Sequence, residues 1–163
     1  MTWQPELADD EVLRRRRVLA ADVRDELSAA GLPVAAESST LGTGVLVEID
    51  PLDDESGGGV VVDWKTHFML RSAAMDALSE GRRDDAAIRY SGTVSKIMSD
   101  AVADILETAG YTLLRDYNDM SPYSILVTGQ ERRPSWRDWL HAQIDRRQQA
   151  LHETAVQEGR TNA

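Results

Sequence analysis

The chain has 163 residues, 18 of them basic and 28 acidic, for a net charge of −10, and it contains no cysteine. Without thiols there are no disulfides, thiolate metal sites or cysteine nucleophiles, and a field of this sign opposes binding to nucleic acid or anionic lipid. No apolar run approaches the roughly 18 residues that a membrane span needs, and the opening Met1–Asp10 lacks a basic stretch followed by an apolar one, so a cytoplasmic protein is expected.

The first predicted element is a helix from Asp10 to Ala30. Val12, Leu19, Val23, Leu27 and Ala30 recur at helical spacing, Asp9 or Asp10 can cap the start, and Gly31 with Pro33 ends it. Residues 1–9 are expected as a flexible terminus, 10–152 as a single domain and 153–163 as a polar tail. Arg14–Arg17 point all round the first helix, which suits a solvated surface better than a stripe following a phosphate backbone.

Three β segments are expected next, over Leu32–Ser38, Val45–Asp50 and Val60–Lys65. Val45, Val47 and Ile49 alternate with polar positions, as do Val60, Val62 and Trp64, which is the pattern of a sheet covered on one side. Pro51–Gly59 reads as a polar, glycine-rich hairpin loop. A helix over Phe68–Glu80 would turn Leu70, Ala73, Ala74, Ala77 and Leu78 inward. A longer one, capped by Asp84 or Asp85 and running to Ala109, carries a stripe of Val94, Ile97, Met98, Ala101, Val102, Ile105 and Ala109.

Strands over Thr112–Tyr117 and Tyr123–Thr128 follow, joined by a turn at 118–122. A final helix starts at Ser135, with Asp138 as its capping partner. The order α-β-β-β-α-α-β-β-α predicts a two-layer α+β fold, with an antiparallel or mixed sheet of about five strands and about four helices. Residues 21–31 and 100–110 match at five of eleven positions. This is compatible with an internally duplicated α-β-β unit, and equally with two ordinary amphipathic helices that each end in Ala-Gly.

The second hairpin carries the sharpest chemical pattern. Gly44-Val-Leu-Val-Glu-Ile-Asp50 and Gly59-Val-Val-Val-Asp63-Trp-Lys65-Thr66 resemble the metal-binding hairpin of the PD-(D/E)XK nucleases, in particular their RecB-like branch. The resemblance implies that Asp50 and Asp63 share a Mg²⁺ while Lys65 positions the attacking water. It covers about 23 residues. His67 stands where that branch commonly has glycine, and the helix after Lys65 contains no Gln. If the valines share one face, Glu48, Asp50, Asp63 and Lys65 share the other. Two registers then place Asp63 opposite either Asp50 or Glu48.

The histidines at 67, 141 and 152 form no His-Glu-x-x-His pattern, and Gly57–Gly59 is not followed by the Lys-Ser/Thr of a phosphate loop. With no assembled catalytic set or resident cofactor, the leading expectation is a non-enzymatic interaction module: an adaptor, inhibitor, immunity-like or chaperone-like protein. Its acidic face would be Glu48, Asp50, Asp53, Asp54 and Glu55, suited to a basic protein partner. Trp136, Trp139 and Leu140 on the last helix would dock on the domain's own core, on a partner, or on a second copy. The alternative is a small Mg²⁺-dependent nuclease.

Overall fold

Each of the first three helices begins at a side-chain cap and ends where backbone N–H groups reach back to its last carbonyls. The computed structural model describes residues 6–36, 42–54, 57–131 and 135–161. Helix α1 spans Asp10–Ala29, and the Asp9 carboxylate accepts from the Val12 N–H at its start. At its end Gly31 takes φ +85, so the Gly31 and Leu32 N–H groups reach back to the Ser28 and Leu27 carbonyls. Helix α2 covers Phe68–Ser79, with the His67 ring as N-cap, and α3 covers Ala86–Thr108, with Asp85 as N-cap. Ala30 and Ala109 have nearly the same cap geometry, so the sequence echo extends to both helix ends.

The sheet has four antiparallel strands: β1 Gly44–Asp54, β2 Gly57–Lys65, β3 Tyr111–Arg115 and β4 Ile125–Gln130, in the order β1-β2-β4-β3. The fold is therefore two-layer α+β, with four helices and four strands rather than about five. The expected strand at Leu32–Ser38 reduces to one parallel bridge, Val34 with Val45. Pro33 has no N–H to add to a ladder, and Glu37 and Ser38 lie outside the described residues. The echo ends here too: Leu32–Ala36 meets β1 in parallel, whereas β3 follows Gly110 directly and pairs antiparallel with β4.

Valine alternation places Val45, Val47, Val60 and Val62 on the inner face with Ile125, Val127 and Tyr111. Ala20, Val23 and Leu27 of α1 and Val102, Ala103 and Leu106 of α3 cover that face. The buried row of α3 is Ser99, Val102, Ala103 and Leu106; of the expected stripe Val102 lies in it and Ile105 and Ala109 pack against the core, whereas Ile97 is 59% exposed. Both rows have helical spacing. The small residues Ser99 and Ala103 allow the closer approach to the sheet. The Ser99 hydroxyl also donates to the Tyr123 carbonyl.

The β1–β2 hairpin is longer than its alternation implies, because Pro51–Asp54 and Gly57–Gly59 are strand rather than loop. Leu7 pairs antiparallel with Leu52, Ala8 N–H donates to Pro51, and Asp53 N–H donates to Glu6. Glu6–Ala8, expected within a flexible terminus, thus closes part of the β1 edge. Two arginines of α1 close more of it. Arg24 donates to the Val47 carbonyl at 2.7 Å, and Arg16 donates to the carbonyls of Asp50 and Leu52. An edge capped in this way has fewer open groups with which to pair another chain.

The chain divides into two compact units, Met1–Glu131 and Arg132–Ala163. The second contains helix α4, Trp136–Thr161, which continues past the point where a polar tail was expected. Ser135 and Asp138 cap it reciprocally, with Ser135 N–H donating to the carboxylate at 2.8 Å and Asp138 N–H donating to the hydroxyl at 3.3 Å. Among the described residues, no helix is long and apolar enough to cross a membrane.

Candidate functional site

The outer face of the β1–β2 hairpin carries Leu46, Glu48 and Asp50 from one strand and Val61, Asp63 and Lys65 from the other. The observed register places Asp63 opposite Leu46, Asp50 opposite Gly59 and Lys65 opposite Gly44. Neither register considered from sequence occurs. The extended arm, with its irregularity between Asp50 and Asp54, shifts the pairing beyond both. Asp63 therefore lies four residues along the strand from the position opposite Asp50, about 13 Å at β-strand rise. The register does not bring the two carboxylates together for a shared ion. Among the described residues, no three His, Cys, Asp or Glu side chains are grouped to hold a metal.

Each carboxylate has a distinct local role. Asp50 is a clasp: Oδ1 accepts from the Leu52 N–H and Oδ2 from the Gly58 N–H, both at 3.0 Å. Asp53 pairs with Arg16 at 2.6 Å. Asp54 pairs with Gly57 through the backbone, and Glu55 lies outside the described residues. Glu48 is exposed. Of the expected acidic face, then, Asp50 is engaged within the hairpin and Asp53 by Arg16 of α1.

Asp63 accepts a hydrogen bond from the hydroxyl of Ser124, which is 3% exposed. Ser124 precedes Ile125, which pairs with Val62, so β2–β4 pairing sets the serine beside Asp63. No local sequence signal marks Ser124, because the partners are 61 residues apart. The buried hydroxyl donates to the Asp63 carboxylate and so ties the start of β4 to β2.

Tyr117, just beyond β3, is half-buried, and its phenol is raised above its ordinary value near 10. Burial is the main cause, followed by the negative charges of Asp63, Asp50 and Glu48. The folded state thus holds the phenolic proton more tightly than the unfolded chain. The associated stability is full below the ordinary value and is lost as pH rises through the folded one. In an alkaline absorbance titration, Tyr117 is expected to ionise late, and Tyr117→Phe should remove that contribution. An unchanged late step would show that a different tyrosine is responsible.

The helices present another kind of surface. Of α2, expected to turn five residues inward, only Ala77 is buried; Leu70 and Ala74 are half-buried, and Ala73 is exposed. Phe68, Met75 and Leu78 lie on the side of the helix away from Ala77 and are 39%, 64% and 50% exposed. On α3, Tyr90 and Ile97 lie seven residues apart and are also exposed. In the second unit, Trp136, Trp139 and Leu140 are exposed, with the Arg137 guanidinium 4.7 Å from the Trp136 ring centre. Neither protein-family models, nor curated proteins, nor solved structures match this chain.

Proposed function

We propose that the protein is a non-enzymatic protein–protein interaction module that docks a basic partner on the solvent side of α2. The observation that carries this reading is a twelve-residue helix with one buried residue, Ala77, and with Phe68, Met69, Met75 and Leu78 exposed. A surface helix ordinarily turns its larger apolar residues to the core. Exposed apolar surface of this kind suits a partner that supplies the missing cover. Residues 1–131 contain 12 basic and 24 acidic residues, a field that attracts a cationic partner and speeds its approach. Glu48, exposed on the outer sheet face, belongs to that field.

The test is affinity capture with the native protein and with a Met75→Glu, Leu78→Glu double variant, both checked for native circular dichroism. At least one basic protein should be retained by the native chain and fall by about tenfold or more with the variant, the scale of losing a buried apolar anchor. An identical retained set would remove α2 as the docking surface. The metal-dependent nuclease reading has the hairpin resemblance in its favour but not the carboxylate spacing. DNA cleavage with Mg²⁺ that Asp63→Ala abolishes would replace the interaction reading with it.

A further inference from the structure

We propose that His67 makes the start of α2 a pH-sensitive switch, capped while the imidazole is neutral and frayed once it is protonated. His67 has the extended backbone of an N-cap, φ −54 and ψ 140, and its Nδ1 accepts from the Met69 N–H at 3.3 Å. Nδ1 accepts only while it carries no proton, and the imidazolium has two donors and no acceptor. Protonation therefore removes the cap and sets a positive charge at the positive end of the helix dipole. Both effects have the same sign. The cap holds at neutral and alkaline pH and is lost as pH falls through the range in which histidine changes charge.

The device is confined to α2. Helices α1 and α3 are capped by the Asp9 and Asp85 carboxylates, a residue type that stays an acceptor throughout that range. His67 is the only histidine in residues 1–131. Helix α2 has twelve residues and one buried side chain, Ala77 near its far end, so packing does little to hold its first turn. That turn contains no acidic residue. The charged group there is Arg71, whose guanidinium donates to the Thr66 carbonyl and, at 3.0 Å, to the Gly42 carbonyl. From β2 the preceding charged residue is Lys65, and α3 meets Thr66 through the neutral Ser91 hydroxyl at 3.5 Å. The His67 ring itself lies against Phe68, with centroids 4.8 Å apart. Among the described residues, then, no carboxylate compensates the imidazolium. Fraying would displace Phe68 and Met69 and so loosen a partner held on α2. That consequence rests on the α2 reading, whereas the switch itself does not.

The test is NMR of the full chain without any partner, from about pH 8 to about pH 5. The Cα shifts of residues 68–72 report the helix population, and the His67 ring protons report its protonation. In the native chain the ratio of capped to frayed first turn should fall about five-fold, the scale of losing an N-cap, in step with the ring. His67→Asp, which keeps an acceptor at both pH values, should hold the turn throughout. His67→Ala should be frayed throughout. A native first turn equally helical at both ends of the range would overturn the proposal. So would a fall that persists in His67→Asp, or a His67→Ala chain as helical as the native one at pH 8. Because no partner is present, a failure of α2 as a docking surface leaves these results unchanged.

Discussion

Gly58→Ala is expected to lower the unfolding free energy by about 3 kcal/mol or more, as strain in a sparsely populated backbone region adds to a direct clash. Gly58 has φ +120, and a Cβ built there would lie 2.1 Å from the Leu52 carbonyl oxygen and 3.1 Å from Arg16 Nη2. Neither neighbour can easily yield. The carbonyl accepts from Arg16, and the Gly58 N–H is held by Asp50. Gly31→Ala is the internal control: φ is +85, but nothing lies within 4 Å of the added atom. That change should cost only the left-handed penalty, roughly 1–2 kcal/mol. Urea denaturation of both variants decides the matter. Equal losses would mean that the close approach at Leu52 does not exist in solution.

Arg16→Ala should destabilise by about 2–4 kcal/mol, while Arg17→Ala, one residue on, should stay within about 0.5 kcal/mol. The Arg16 side chain is only 15% exposed, and it donates to Asp50 O at 3.0 Å, Leu52 O at 2.6 Å and Asp53 Oδ1 at 2.6 Å. Most of the effect belongs to the two carbonyls, since the Asp53 carboxylate is 46% exposed and solvent screens that pair. Arg16→Lys should recover little, because one ammonium cannot reproduce the planar fork that spans all three acceptors. Matching urea midpoints for Arg16→Ala and Arg17→Ala would show that the clamp contributes nothing.

The two arginines illustrate a general limit of the sequence. Arg14–Arg17 are four identical residues in a row, and the expectation of a solvated surface holds for Arg14, Arg15 and Arg17, which are exposed. Arg16 differs only because packing α1 against the sheet brings the distorted end of β1 beneath it. Likewise Asp50 has the right residue type and strand position for a metal ligand, yet an irregular hairpin turns it toward two backbone amides. Ser124 became a site residue only through a strand pairing 61 residues away.

What the sequence determined by itself was the set of elements with strong local causes. The caps at Asp9 or Asp10, at Asp84 or Asp85 and at Ser135, the stop at Gly31, and the valine alternation in β1 and β2 each depend on residues within a few positions, and the structure chose Asp9 and Asp85. Tertiary structure decided the strand order, the β1–β2 register, which of two equally spaced rows of α3 was buried, and how little of α2 was. Those choices depend on the packing of segments far apart in the chain, where one residue of register moves every side chain to the other face and periodicity alone does not choose between neighbouring rows.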